Sequence, residues 1–257
     1  MTWSLVVFGA AVFVLFRPGK DVWAYGVEPA KVKYRLRLAR YPALAEYLQA
    51  WLVTRPETNH KLLDIGSGFG RTFVYLDAAG IGARFDMLGM DIDPGRKDDV
   101  FTHNPYRIIV GNAEQPLEFA DDSFDVVVCE QLLEHLHRPQ QLIAEIHRIL
   151  KPGGLFVCGV PTFPEPIAKL RRAMVRRYGL RGSDHVQTYS LRSIRRDLAP
   201  LFEIDCQRGF RIISGGLLRG LENFAWWYHF NRRLGRWLPG LCIEVQLLAV
   251  ARRAADG

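Results

Sequence analysis

Short runs of apolar residues alternate with segments of helical periodicity through the middle of the chain, and this alternation predicts the elements of its core. The apolar runs predict five strands, at residues 61–65, 85–91, 107–110, 124–129 and 155–160. A helix is expected from 139 to about 150, because Pro139 in its first turn costs no hydrogen bond and the glycine-containing stretch 151–154 ends it. Strands that are apolar throughout and separated by helices indicate a parallel sheet covered on both faces.

The pattern changes after Pro161. Ser190 is placed to cap a helix that runs through Leu198, and Pro200 closes it. Two further apolar runs, 202–213 and 241–251, predict two more strands. We therefore expect an α/β fold: a Rossmann-like, doubly wound sheet of seven strands, mostly parallel, with helices on both faces and an antiparallel last strand.

The N-terminal residues 3–16 contain no charged side chain. The run is shorter than the ~20 apolar residues of a full membrane span, and no basic residue precedes it as in a secretory signal. Basic residues follow from Arg17 onward, which by the positive-inside tendency would keep the rest of the protein cytoplasmic. The pattern favours a short membrane anchor or interfacial segment at the inner face of the membrane. The alternative is a buried helix or strand.

A chain of 257 residues with 49% hydrophobic residues can bury one α/β core with additions, or at most two small domains. We divide it into a hydrophobic segment at 1–20, a helical cap at 21–60, a core at 61–160, and a substrate-side insertion with C-terminal strands at 161–257. The net charge of +7 combines basic flanks with an acidic middle. That distribution suits an anionic partner such as lipid headgroups, a phosphorylated substrate or nucleic acid.

The four cysteines are too far apart in sequence to form a metal or redox pair of the CxxC type. Cys129 and Cys158 lie inside apolar runs, so we interpret both as reduced core residues. Reduced cysteines fit a cytosolic compartment.

A glycine-rich loop ends the first predicted strand, in the sequence LLDIGSGFG at residues 62–70. Glycines there let the backbone turn tightly and approach a ligand, although the pattern alone also suits dinucleotides. Asp64, two residues before Gly66, can hold a cationic amino group. Asp91 ends the second strand about 20 residues further on, where an acid hydrogen-bonds the hydroxyl pair of a ribose.

Four segments in this order resemble the motifs of the class I S-adenosylmethionine-dependent methyltransferases, in their small-molecule-modifying branch: LLDIGSGFGR, GMDIDP, GNAEQPLEFADDSFDVVVCEQLLEHL and RILKPGGLFVCGVP. The resemblance implies S-adenosylmethionine as methyl donor. It also implies cofactor-binding roles for the residues that match the motifs: Asp64, Gly66, Ser67, Gly68 and Gly70 at the methionine part, Asp91 at the ribose, Ile92, Asn112 and Ala113 at the adenine, and Glu130 and Gln131 near the methionine carboxylate and sulfonium.

Methyl transfer is an in-line displacement at the sulfonium methyl group, so the protein mainly supplies proximity and alignment. A base is needed only where the acceptor must first lose a proton. His135 and His185 are the candidates. For His135 the alternative is a structural role in its turn, and for His185 a capping or loop role.

Some relatives that methylate catechol-like rings or RNA ends carry ExxEH at this point and hold a divalent ion. Here Gln131 replaces the first acid, and Glu130 is one step out of register. We therefore predict no metal. The sequence Asn104-Pro105-Tyr106 is similar to the NPPY motif of amino-directed nucleic-acid methyltransferases, but it precedes the third strand instead of following the fourth, so we set it aside.

Two segments after the core combine apolar and basic residues. Ile167, Leu170, Met174 and Tyr178 repeat at helical spacing among lysines and arginines, which predicts a basic amphipathic helix. Its alternative is a solvated basic face packed on the core. Between 224 and 237, aromatic residues surround three arginines, a mixture typical of membrane interfaces and also of base stacking. Together with the N-terminal run, these segments favour an anionic membrane surface over nucleic acid as partner.

The leading hypothesis is a methyltransferase at the cytoplasmic face of the membrane, whose acceptor is a lipid, an isoprenoid quinone or a lipid-linked glycan. One alternative is a soluble methyltransferase for a small metabolite. Another is a non-catalytic binding domain of the same fold, which the intact Asp64, Gly66, Gly68 and Asp91 disfavour. Because fold does not fix function, the acceptor has to be argued from the site.

Overall fold

A computed structural model describes residues 28–93, 105–178, 185–212, 221 and 224–252. Within these ranges seven strands form one sheet: β1 (His60–Ile65), β2 (Phe85–Asp91), β3 (Arg107–Val110), β4 (Phe124–Glu130), β5 (Leu150–Pro161), β6 (Phe202–Phe210) and β7 (Glu244–Ala251). Their order is β3-β2-β1-β4-β5-β7-β6. The first five strands pair in parallel, and β7 runs antiparallel to both β5 and β6. This confirms the predicted fold class.

Helices precede, connect and follow these strands. In the described ranges they are α1 (Arg40–Val53), α2 (Arg71–Ala78), α3 (Pro139–Ile149), α4 (Glu165–Tyr178), α5 (Leu191–Leu198) and α6 (Ala225–Trp237). Ser190 caps α5 as predicted: its hydroxyl accepts from Ser193 N, and the Ser193 side chain accepts from Ser190 N.

Neighbouring residues of each central strand face opposite layers of helices. In β1, Leu62 packs with α1 and α2, whereas Leu63 packs with α3 and α5. In β4, Val126 faces the first layer and Val127 the second. This alternation, with apolar residues on both sides, is the reason why the strands are continuous hydrophobic runs.

Several element ends differ from the prediction. Strand β5 begins at Leu150, so residues 151–154, predicted as a break, are part of the strand. The register with β4 shifts between Phe124 and Val126, which absorbs the extra residues. Strand β6 ends at Phe210 and β7 begins at Glu244, so both are shorter than predicted.

The hydrophobic N-terminal segment lies outside the described residues. In the part of the chain that the structure describes, no helix has both the length and the apolar character of a membrane span.

Candidate cofactor and active site

The glycine loop lies between β1 and α2, at the carboxyl edge of the sheet. Gly66, Gly68 and Gly70 all have positive φ, of 75°, 52° and 77°, a conformation that favours glycine. Gly66 N and Ser67 N donate to the Met90 carbonyl at 2.8 and 3.2 Å. The loop is thereby tied to the end of β2.

Asp91 lies beside this loop. One carboxylate oxygen accepts from Gly68 N at 2.8 Å, and the other accepts from Asp93 N at 3.1 Å. Each carboxylate oxygen has more than one acceptor site. The acid can therefore hold the loop and still accept hydrogen bonds from a ligand's hydroxyl pair.

A cavity of about 260 Å³ opens next to Asp91, between the ends of β1, β2 and β3 and the turn after β4. Apolar side chains form much of its wall, and polar side chains stand at its rim. The lining comprises Ile65, Gly66, Met90, Asp91, Ile92, Gly111, Asn112, Ala113, Glu114, Leu132, His135, Leu136 and His137. Of the predicted cofactor residues, Gly66, Asp91, Ile92, Asn112 and Ala113 meet at this cavity.

Asn112 and Glu114 shape the rim. The Asn112 side-chain oxygen accepts from Glu114 N at 2.9 Å, which fixes the turn after β3. Glu114 Oε1 accepts from His137 N at 2.6 Å and lies 3.0 Å from His137 Nδ1. The hydrogen bond from His137 N holds the pKa of Glu114 below its usual value. This contact joins the two segments that line opposite sides of the cavity.

Two buried carboxyl groups occupy the carboxyl ends of β1 and β4. Burial raises the pKa of Asp64 to about 7, although a hydrogen bond from Thr72 opposes the shift. Burial likewise raises the pKa of Glu130 to about 7, against the attraction of Arg40. Groups with such values favour a cationic ligand, because a positive charge nearby stabilises their ionised forms.

A buried ion-pair network surrounds Glu130, and the sequence did not predict it. Arg40, at the start of α1, lies 3.3 Å from Glu130 and 3.3 Å from Glu244 at the start of β7. The Gln246 side-chain nitrogen donates to Glu130 Oε1 at 2.6 Å. A Cβ at Gly159 would lie 1.9 Å from Glu130 Oε2, so β5 needs glycine where this carboxylate crosses it.

Gln131, the other residue predicted near the methionine part, follows Glu130 directly. Its φ is 56°, and its backbone N–H donates to the Gly159 carbonyl at 2.8 Å. Its side-chain nitrogen is buried and has no hydrogen-bond partner among the described residues. Ser67 Oγ shares both properties. Near the loop, two buried polar atoms are therefore available to form hydrogen bonds with a ligand.

The two candidate bases are brought together. The rings of His135 and His185 lie edge to face with centroids 4.7 Å apart. Glu134, which precedes His135, is buried, and burial raises the pKa of its carboxyl group to about 8. His135 also lines the cavity, so the pair lies at its edge.

Residues 63–158 match the family model described as a methyltransferase domain. The chain carries a class I S-adenosylmethionine-dependent methyltransferase domain. S-adenosylmethionine is the methyl donor that this domain uses. The match covers the glycine loop, the cavity and most of β5, so the motif resemblance seen in the sequence is confirmed.

Curated relatives match over the same part of the chain. Uncharacterized methyltransferases of Mycobacterium tuberculosis strain H37Rv and of Mycobacterium marinum are 37% and 35% identical over 112 and 114 residues. Each match covers 42% of this chain and 42% of the relative. The chain therefore matches less than half the length of these relatives, and the methyltransferase domain is the part they share.

Solved structures extend the likeness in fold beyond this domain. A chain of the Haloferax volcanii complex between the Trm112 methyltransferase activator and a candidate methyltransferase has a TM-score of 0.53 and 19% identity, over 92% of this chain and 97% of that one. The [4+2]-cyclase SpnF has a TM-score of 0.52 and 17% identity, over 84% and 82%. At such identities the likeness shows the methyltransferase fold alone.

Proposed function

We propose that the chain is a methyltransferase that transfers the methyl group of S-adenosylmethionine to a lipid, an isoprenoid quinone or a lipid-linked glycan at an anionic membrane surface. The observation that carries the proposal is a row of exposed apolar side chains, bordered by arginines, in the part of the fold that follows the matched domain. The proposal places the protein at the cytoplasmic face of the membrane.

The cofactor half of the proposal assigns roles to the loop and the cavity. Asp91 would accept from the ribose hydroxyls, and Ile92 and Ala113 would pack on the adenine with Asn112 at its edge. The cavity's apolar walls and polar rim fit an adenosine, which has flat apolar faces and polar edges.

The methionine part would lie along the glycine loop. Asp64 and the loop residues Gly66, Ser67, Gly68 and Gly70 would hold it, with Glu130 and Gln131 on the far side. Ser67 Oγ and the Gln131 side-chain nitrogen are buried without a hydrogen-bond partner among the described residues, which supports this placement because buried polar groups are normally hydrogen-bonded. When bound, the cofactor supplies an activated methyl group, and the chain's own residues orient it and exclude water.

The acceptor half of the proposal rests on exposed apolar residues near the end of α6. Trp237 is 80% exposed, Leu241 is 52% exposed, and Leu238 and Ile243 lie between and beside them. We call these four residues the 237–243 patch. Large apolar side chains that cluster at the surface mark an interaction site.

Arginines lie around the 237–243 patch. Arg233 and Arg236 are exposed on the last turns of α6. Gly240, inside the patch, lines a cavity of about 350 Å³ together with Arg192 and Arg195 of α5. Aromatic and aliphatic residues that insert, with arginines around them, suit a bilayer with anionic headgroups.

Helix α4 adds a second surface of the same kind. Ile167, Leu170 and Met174 are 51–63% exposed, so the apolar stripe predicted on this helix faces outward. Lys169, Arg172 and Arg177 line a shallow cavity on the helix. Glu165, in the first turn of α4, lines the same cavity as Gly240, so the start of this helix lies near the 237–243 patch.

Label partition tests the proposed acceptor. The full chain is incubated with methyl-labelled S-adenosylmethionine and a lysate of its host, and the products are divided between organic and aqueous phases. We expect label in the organic phase. The Asp91→Ala variant is the matched control, and its organic-phase label should fall to background. Label confined to the aqueous phase would contradict a lipid-like acceptor and favour a soluble metabolite.

A further inference from the structure

We propose that Glu134, His135 and His185 form a binding site for one divalent transition-metal cation beside the cofactor cavity. Each side chain offers one ligand atom, and these atoms lie within 4.8 Å of one another. Three-ligand zinc sites use two imidazole nitrogens and one carboxylate oxygen in this way, with a fourth position left for water or substrate. The missing acid at Gln131 does not exclude such a site, because His185 supplies the third donor.

Hydrogen bonds hold together the two segments that carry these donors. Gln187 N donates to the Glu134 carbonyl at 2.9 Å. The Gln187 side-chain amide donates to two backbone carbonyls in the turn that follows Glu134, at 3.1 and 3.3 Å. Because Gln187 is two residues from His185, these bonds hold the segment that carries His185 against the turn that carries His135, and the two rings lie in contact. The three donors are therefore brought together by the fold itself.

The buried carboxyl group of Glu134 is the strongest indication that this cluster binds a metal. Its side chain is 2% exposed, and its Oε2 has no hydrogen-bond partner among the described residues. A buried carboxylate oxygen is costly unless it is paired or coordinates a metal. Glu134 Oε1 lies 4.0 Å from His135 Nε2. Two ligand atoms that are each ~2.1 Å from one ion lie up to ~4 Å apart, so coordination needs only small side-chain rotations.

The donor set indicates the class of cation. Imidazole nitrogens with one carboxylate suit Zn²⁺, Fe²⁺ or Co²⁺, whereas Mg²⁺ and Ca²⁺ prefer oxygen ligands alone. His135 also lines the cofactor cavity, so the ion would lie close to the acceptor. A role in orienting an acceptor oxygen rests on the proposed function, but the binding of the metal does not.

Metal titration of the full chain tests the site. The protein, free of any affinity tag and stripped of metal by a chelator, is titrated with ZnCl₂ by calorimetry and with CoCl₂ by visible absorption. We expect one ion per chain. His185→Ala should bind Zn²⁺ at least tenfold more weakly and lose the Co²⁺ absorption band, and Glu134→Gln should do the same.

His137→Ala is the matched control. His137 belongs to the same segment and lines the same cavity, but it lies outside the cluster, so this variant should keep the wild-type affinity. Equal affinity in His185→Ala and wild type would overturn the proposal, as would a wild type that binds neither ion or an equal loss in His137→Ala. If Glu134→Gln does not fold, His135→Ala and His185→Ala decide.

S-adenosylhomocysteine binding is measured on the same metal-free protein. If the chain binds S-adenosylhomocysteine but no metal, the metal site is ruled out and the proposed function is unaffected. Lost S-adenosylhomocysteine binding in a chain that does bind one ion per molecule counts against the proposed function and leaves the metal site standing.

Discussion

Large apolar side chains are mostly buried in one part of the molecule and partly exposed in the other. In the segment from β1 to β5, which we call the cofactor half, the central strands β1, β4 and β5 are mostly buried, and the family match lies within this half. From α4 to β7, the outer half, helices expose large apolar residues such as Met174 and Trp237. Both halves contribute to the packed core, but the exposed apolar residues of α4 and α6 belong to the outer half, which is the part that the proposed function assigns to membrane contact.

The largest expected effect is on the free energy of unfolding, when a buried aromatic residue is replaced and an exposed one serves as the comparison. Phe73, in α2, is fully buried against Tyr106, with ring centroids 5.2 Å apart. Phe73→Ala should lower the free energy of unfolding by about 3–5 kcal/mol, because it leaves a cavity. Trp237→Ala should change it by less than about 0.5 kcal/mol. Urea denaturation measures both, and a similar loss in the two variants would break the comparison.

The second-largest effect is expected on vesicle binding, which should depend on the outer half and not on the cofactor half. Trp237→Ser with Leu241→Ser removes two side chains of the 237–243 patch, and we expect about thirtyfold weaker co-sedimentation with phosphatidylglycerol vesicles, or about 2 kcal/mol. Val53→Ser, at the exposed end of α1, should bind as the wild type does, and S-adenosylhomocysteine affinity should be the same in all three proteins. Unchanged vesicle binding in the double variant would argue against the patch.

Cofactor affinity tests the other half. Asp91→Ala should weaken S-adenosylhomocysteine binding at least tenfold, about 1.4 kcal/mol, because the variant loses the proposed ribose contact and the observed contact with Gly68 N. Asp93→Ala is the control, since Asp93 is exposed and contributes only its backbone N–H to Asp91. Calorimetry measures the two variants, and equal affinities would remove Asp91 from the site.

The smallest expected effect is a pH dependence. Without ligand, Asp64 and Glu130 are protonated below pH about 7, because burial raises the pKa of both. Arg40 and Asp91 are the other charged groups facing Asp64. As the pH rises from about 6 to 8, the acids ionise, so the affinity for the sulfonium cofactor should rise several-fold relative to S-adenosylhomocysteine, which lacks that charge. Asp64→Asn should flatten the ratio.

The stability of the ligand-free protein should fall as the pH rises, whereas the affinity for the cofactor should increase. The folded protein keeps protons on Asp64 and Glu130 that the unfolded chain releases from about pH 4. The contribution of these two groups to stability therefore falls as the pH rises from about 4 to about 7. Thermal melting across this range, with Asp64→Asn as reference, measures it. A flat difference between the two proteins would show that Asp64 ionises normally.

Local signals explain why much of the fold was predictable. Strands such as Arg107–Val110 coincide with their apolar runs, and the Ser190 cap is set by residues three positions apart. Residues 151–154 misled the prediction because proline and glycine usually break elements, whereas here a register shift between β4 and β5 accommodates them. Strand ends thus depend on the partner strand, which the local pattern does not contain.

The site was predictable only where it follows the motifs. Asp91 and Gly66 meet at the cavity as expected. The contact between Arg40 and Glu244 joins residues separated by most of the chain, and no spacing rule signals it. The sequence offered His135 and His185 as candidates without placing them together, because their contact depends on a long-range hydrogen bond from Gln187 N to the Glu134 carbonyl.

The position of β7 has a consequence for synthesis. This strand follows the six other described strands in sequence, yet it lies between β5 and β6. In its first half, Glu244 forms an ion pair with Arg40, and the Gln246 side chain donates a hydrogen bond to Glu130. A nascent chain therefore emerges from the ribosome with a sheet that is open beside β5 and with an Arg40–Glu130 ion pair that lacks its contacts to Glu244 and Gln246. Such an intermediate exposes a strand edge, so chaperone binding should be strongest just before β7 leaves the exit tunnel.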